Sequence, residues 1–156
     1  MTLFSQLAAL LAIVSTGIVY GTDAFCTLVQ RSALTLVDDA TLTRFMGNLH
    51  RVADRRMQVP GILGVLAAGA AAVSCALAGR TTAAVTTAVA FLLLVVWVVI
   101  YLRISAPVNR RLTAAADAHE TPADVRAWQR TWDRVIVPRA VLQGVAVLAL
   151  GVSLLG

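Results

Sequence analysis

The chain has 156 residues, of which 59% are hydrophobic and 13% are charged, and its formal net charge at pH 7 is +5. That composition excludes an ordinary water-soluble domain, in which about a quarter of the residues are charged. All thirteen basic residues are arginines, concentrated in two blocks between long apolar runs, whereas nucleic-acid binding needs a soluble basic face. We therefore expect a membrane protein whose arginines face lipid headgroups, with no nucleic-acid partner.

Four stretches are long and apolar enough to cross hydrocarbon as helices, each close to the roughly 20 residues that this requires. We place the spans at about 3–29, 57–79, 81–105 and 133–155. The second span is rich in alanine and glycine, which allow close helix packing in membranes. The sequence therefore predicts one all-α domain over residues 1–156, a four-helix transmembrane bundle in up-down-up-down order.

The first long connection, between the first and second spans, has a helical pattern of its own. Residues 38–56 begin with acids suited to capping and continue with apolar residues at helical spacing. This predicts an amphipathic helix that leads into the second span. Its spacing places Arg44 and Arg51 on the polar face and turns Arg56 toward the bundle.

The second long connection precedes the fourth span. We expect Pro107 to end the third helix, since proline lacks the backbone N–H that continues the helical ladder. Thr121, Pro122 and Asp124 then form a typical helix start, with a capping residue, proline at the first helical position and an acid in the first turn. A second helical extension should lead from there into the fourth span.

The distribution of arginine predicts the orientation in the membrane. Both long connections are rich in arginine, whereas the short turn between the second and third spans carries only Arg80. Arginine-rich connections remain on the cytoplasmic side of a membrane. We therefore expect a multi-pass protein of the cell membrane with both termini outside the cytoplasm.

Polar side chains from all four spans fall near the same cytoplasmic end. Ionisable residues inside a membrane are costly and normally face a partner or a watery cavity, so Asp23 and Arg139 are informative. We predict a polar pocket there, lined by Tyr20, Asp23, His50, Asp54, Arg56, Tyr101, Asn109, Trp132 and Arg139, with Gln143 on the stripe of Arg139. The alternative is that Asp23 simply pairs with Arg139 or Arg56, and that the aromatic and arginine residues mark the membrane interface.

His50 and Asp54 are four residues apart and therefore lie one turn apart on the predicted helix. Such a pair can be a base with an orienting carboxylate, two ligands of a metal, or an ordinary surface pair. Cys26 and Cys75 are too few and too far apart in sequence for a zinc site or a redox pair. We assign no metal site, and whether His50 and Asp54 bind a metal stays open.

Four motifs connect the chain with a known family. They are Tyr20-Gly21-Thr22-Asp23, the run from His50 to Arg56 before Val59-Pro60-Gly61, Pro107-Val108-Asn109-Arg110-Arg111-Leu112, and Trp132 followed seven residues later by Arg139. Over nearly its whole length the chain resembles the anthrone-oxygenase-like family of small four-helix integral membrane proteins. Many members are uncharacterised bacterial proteins, and the named activity oxidises anthrones to anthraquinones with dioxygen and no evident cofactor.

The resemblance implies a cofactor-independent oxygenase acting on a flat phenolic or anthrone-type molecule, with dioxygen as the second substrate. A base removes a weakly acidic benzylic hydrogen, and the resulting enolate reacts with oxygen. In this hypothesis His50, oriented by Asp54, is the base, and Arg139, Arg56 or Asn109 holds the oxyanion. The substrate-binding residues are then Tyr20, Asp23, Arg56, Tyr101, Trp132 and Gln143. One departure is Ile136, where family members often have His or Asn.

Two other classes of function stay open. A small exporter would use an intramembrane carboxylate such as Asp23 to exchange protons for its substrate. Exporters of that kind are shorter, however, and place the acid nearer to midspan. An accessory membrane protein would have no chemistry of its own. In each case the lipid bilayer is a partner, and self-association of the chain stays open.

Overall fold

The computed structural model describes residues 2–155, which form five helices and no strand. The helices are α1 Leu3–Leu36, α2 Asp39–Arg56, α3 Gln58–Leu77, α4 Thr81–Asp117 and α5 Val125–Ser153. All except α2 are long and apolar enough to cross a membrane. The predicted all-α four-helix bundle is thus confirmed, and the chain has the architecture of a multi-pass membrane protein.

The four long helices form a ring in which each contacts two neighbours. Helices α1 and α4 lie diagonally across from each other, and each packs against both α3 and α5. Small residues permit close approach, because a side chain at Gly64 of α3 would collide with Thr16 of α1. The hydroxyls of Thr2 and Ser74 also meet, at 3.4 Å, so α1 and α3 run in opposite directions.

The bundle has two apolar cores at different heights. One consists mainly of alanine and contains Ala12, Ala67, Ala68, Ala90, Leu94, Ala146 and Leu150. The other contains Cys26, Leu34, Leu42, Met46, Val108, Leu112, Val125, Trp132 and Ile136. Helix α3 contributes to the first core but not to the second, where α2 takes its place and packs against the last part of α4.

Helices α1 and α4 each contain one π-helical turn, over Cys26–Gln30 and Tyr101–Ser105. In these turns the Arg31 N–H donates to the Cys26 carbonyl and the Ala106 N–H to the Tyr101 carbonyl, five residues back. A π-turn inserts a residue into the helical repeat, so it rotates the following side chains about the axis. Such turns are frequent at functional sites.

The predicted helix end at Pro107 is wrong, since α4 continues to Asp117. In a regular α-helix the proline ring clashes with the carbonyl four residues earlier. Here that carbonyl belongs to Arg103, inside the π-turn, where the hydrogen bonds already reach back five residues. The wider turn therefore accommodates the proline without ending the helix.

The two predicted helix starts had different outcomes. The start of α2 is confirmed, since Asp38 is its cap and accepts a hydrogen bond from the Thr41 N–H at 2.6 Å. The start at Thr121 is wrong, because α5 begins only at Val125 and the Asp124 side chain makes no capping hydrogen bond. Val125 is fully buried in the second core, so tertiary packing sets the position of this start.

Gly47 marks the closest approach of α2 to α4. A Cβ atom there would overlap Ala116 Cβ and the backbone carbonyl oxygen of Leu112, which cannot move without shifting its helix. We expect Gly47→Ala to lower the free energy of unfolding by about 1–3 kcal/mol, the usual cost of overpacking, despite the higher helix propensity of alanine. Thermal unfolding in detergent measures this change.

Gly17→Ala is the matched control, because a Cβ at this α1 position would meet nothing within 4 Å. We expect its melting temperature to stay near the wild-type value or to rise slightly. Identical melting temperatures for Gly47→Ala and the wild type would contradict the close packing of α2 on α4.

Candidate functional site

A cavity of about 540 Å³ lies near the point where α2 ends and α3 begins, and side chains from all five helices line it. Most of its wall is apolar. The polar and aromatic residues that contribute to the wall include Asp23, His50, Asp54, Trp97, Tyr101, Asn109, Trp132 and Arg139. A mainly apolar cavity with a few polar groups is the usual form of a site for a small organic molecule.

Asp23 and Arg139 form a buried ion pair, with 2.9 Å between Oδ1 and Nη2 and side chains that are 5% and 7% exposed. Gln143 donates to the other carboxylate oxygen of Asp23 at 2.6 Å, and Arg139 donates to Ser105 Oγ at 2.7 Å. The structure thus brings together the two charged residues that the sequence placed at one level. The network joins α1, α4 and α5.

Two aromatic rings of α4 hold the other side of the Arg139 guanidinium. Its Cζ atom lies 5.6 Å from the ring centroid of Tyr101 and 6.0 Å from that of Trp97. Cation–π contacts of this kind stabilise a charge in apolar surroundings. Trp97 was not among the residues predicted for the pocket, although it precedes Tyr101 by one helical turn and so lies on the same helix face. Arg139 therefore presents a fixed positive charge at the cavity.

His50 is buried, and its ring lies 5.7 Å from the ring of Trp132. Its Nε2 atom has no hydrogen-bond partner among the described residues. Burial, with a smaller contribution from the charge of Arg139, lowers the pKa of His50 to about 4. The imidazole is therefore neutral at pH 7 and can accept a proton.

The predicted pairing of Asp54 with His50 is wrong, since no hydrogen bond joins them in the described part of the chain. Asp54 Oδ1 instead accepts from the Tyr101 hydroxyl at 3.0 Å and from Asn109 Nδ2 at 2.9 Å. The reason is that α4 brings two donors to this carboxylate. Asp54 thus ties the end of α2 to α4.

The oxyanion contact predicted for Asn109 stays a prediction. Its Nδ2 donates one of its two hydrogens to Asp54, and Oδ1, an acceptor, has no hydrogen-bond partner among the described residues. The negative charge of Asp54 fixes this orientation of the amide, because the flipped form would place two acceptors together. An acceptor repels an oxyanion, but it can bind a hydroxyl group.

Three residues predicted for the pocket do not line it. Tyr20 is partly exposed, and its ring lies beside Gly144 of α5. Arg56, the last residue of α2, is exposed and does not line the cavity. Gln143 is buried but contacts Asp23. The predicted places of Tyr20 and Arg56 in the pocket are therefore wrong, and Gln143 contacts Asp23, which does line the cavity.

Within residues 2–155 no group of three His, Cys, Asp or Glu side chains is arranged to hold a metal ion. Comparison of the chain with protein-family models, curated proteins and solved structures finds no match.

Asp23→Asn removes the carboxylate charge and leaves Arg139 buried without its counter-ion. Breaking a buried ion pair in this way costs about 3–5 kcal/mol. We therefore expect a large fall in the melting temperature of the protein in detergent. The double variant Asp23→Asn/Arg139→Gln should recover much of the loss, because no unpaired charge remains.

Asp117→Asn is the control, since it breaks the exposed ion pair between Arg51 and Asp117. Pairs of that kind contribute at most about 1 kcal/mol, so we expect a small change. If the double variant of Asp23 and Arg139 were no more stable than Asp23→Asn, the two residues would not be coupled as described.

Proposed function

We propose that the chain is a membrane-embedded, cofactor-independent oxygenase-like enzyme that acts on a flat phenolic or anthrone-type substrate. The observation that carries the proposal is a neutral buried His50 at the same apolar cavity as the fixed charge of Arg139. A base and a stabilising group for an oxyanion are the two things that such a reaction needs from the protein. The motif resemblance, which includes His50 and Arg139, favours the same chemistry.

His50 takes a proton from the benzylic CH₂ of the anthrone, which leaves the enolate beside Arg139. The imidazolium and the enolate form together, so the net charge of the cavity does not change. The enolate carbon then combines with dioxygen, and the imidazolium returns its proton to give a hydroperoxide. The hydroperoxide then loses water: the C–H bond on the same carbon and the O–O bond break, and that carbon becomes the ketone. One oxygen atom of dioxygen thus enters the product and the other leaves as water.

The other lining groups position the substrate. Asn109 Oδ1 can accept a hydrogen bond from a phenolic hydroxyl, and Asp54 holds the Asn109 amide in that orientation. The rings of Trp132 and Tyr101 offer flat apolar surfaces to a flat substrate. The exporter alternative has no comparable support, because the Asp23 carboxylate is engaged by Arg139 and Gln143.

The test of the proposed chemistry is anthrone-dependent oxygen uptake by the purified protein, measured above the spontaneous rate. We expect His50→Gln to reduce the catalysed rate by about a hundredfold or more, the usual contribution of a general base. Because the pKa of His50 is about 4, uptake by the wild type should be constant from pH 8 to pH 5 and fall below that.

His119→Gln is the matched control, because His119 is the other histidine of the chain and lies exposed between α4 and α5. Its variant should keep the wild-type rate. Equal uptake by the His50 and His119 variants, with both proteins folded, would remove the base from the proposed mechanism.

We also propose that the α2 end of the bundle faces the cytoplasm and that both termini lie on the opposite side. Exposed arginines gather at this end on α2, α4 and α5, which is the arrangement that the positive-inside rule favours. They include Arg44, Arg55, Arg56, Arg103, Arg110, Arg111, Arg130 and Arg134.

Thr81→Cys and Thr121→Cys form a matched pair for testing this orientation. Both threonines are exposed, at opposite ends of the bundle, and the native Cys26 and Cys75 are buried. In intact spheroplasts a membrane-impermeant maleimide should label Thr81→Cys and leave Thr121→Cys unlabelled until the membrane is opened. The reverse pattern would contradict the proposed orientation.

A further inference from the structure

The cavity reaches the outer surface of the bundle within the membrane-spanning helices. Three of its lining side chains, Ile62, Leu66 and Leu102, are 58%, 64% and 58% exposed. A side chain that both lines a cavity and faces outward lies at its rim. Since these residues belong to helices apolar enough to cross a membrane, we expect this part of the rim to face hydrocarbon.

Two neighbouring helices form this part of the rim. Ile62 and Leu66 are one turn apart on α3, and Val98 and Leu102 are one turn apart on α4, so each pair forms a strip along its helix. At the inner side of the seam the Trp97 ring of α4 packs against Gly61 of α3, which has no side chain. Apolar side chains border the seam on its outer side.

Polarity increases from the seam toward the interior. The four residues of the seam are hydrocarbon side chains, whereas the buried part of the cavity carries His50, Asn109 and the Asp23–Arg139 pair. A molecule that fits both parts is a flat hydrocarbon ring system with oxygen groups at one edge. Such a molecule dissolves in the bilayer, and the same is true of dioxygen.

We propose that the seam between α3 and α4 is a lateral portal through which a membrane-dissolved aromatic substrate enters from the bilayer. The inference rests on the proposed function for the class of substrate. It adds that the substrate comes from the lipid bilayer rather than from water. It also names the residues that control its access, Ile62, Leu66, Val98 and Leu102. The substrate then reaches Arg139 with its oxygen-bearing edge without crossing the arginine-rich end of the bundle.

The test is the rate at which the protein in phosphatidylcholine vesicles binds a dihydroxyanthrone under argon. In a Trp128→Phe background the remaining tryptophans are Trp97 and Trp132, which both line the cavity, so quenching of their fluorescence reports binding. We expect Ile62→Phe/Leu66→Phe to slow association and dissociation alike by about tenfold, with the dissociation constant unchanged. Ile62→Ala/Leu66→Ala should speed both rates.

Leu63→Phe is the matched control, because it adds the same ring to an exposed α3 position that does not line the cavity. Its rates should equal those of the wild type. Wild-type rates in both the Phe and the Ala double variants would overturn the portal and leave the oxygenase proposal intact. Slower association with unchanged dissociation would also overturn it, since these residues would then belong to the binding site. Absence of anthrone binding to the wild type would overturn both proposals.

Discussion

The ion pair between Asp23 and Arg139 is the interaction on which the rest of the site depends. An unpaired charge within a membrane span is costly, about 2.5–3.5 kcal/mol at the helix centre on insertion scales, so each residue needs the other. The pair, with hydrogen bonds from Gln143 and to Ser105, joins α1, α4 and α5 at one depth. It thereby fixes the Arg139 guanidinium, with its counter-ion, at the wall of a mainly apolar cavity.

The cavity itself follows from the replacement of one helix by another. Helix α3 begins at Gln58. At one end of the bundle α3 packs with α1, α4 and α5, and at the other end α2 takes the position of α3. The side chains of these two packed layers do not fill the space between them. Both π-turns lie at the junction, and residues of each of them line the cavity. The turn in α4 rotates the side chains that follow it about the helix axis, so Tyr101 at its start and Asn109 after it can both donate to Asp54.

Hydropathy and the positions of the charged residues were sufficient to predict the bundle, the α2 helix and the meeting of Asp23 with Arg139. Helical spacing predicted the α2 face of Arg56, which it shares with Leu49, but not that Arg56 is exposed, because exposure depends on which side of α2 packs against α4. That side is set by the close contact at Gly47, a tertiary feature. The partners of Asp54 could not be predicted either, since one of them lies in a π-turn for which the sequence has no recognised signal. The same turn explains why Pro107 does not end the helix.

Burial has opposite effects on the two groups that the proposed chemistry requires. It makes His50 a weak base, since a pKa of about 4 means that the isolated imidazolium is unfavourable in the cavity. It also strengthens the attraction between Arg139 and a developing oxyanion, because the surroundings have a low dielectric constant. Proton removal is therefore favourable only when the enolate forms beside Arg139 at the same moment. The weakness of the base would in this way confine deprotonation to a substrate whose oxygen lies at the ion pair.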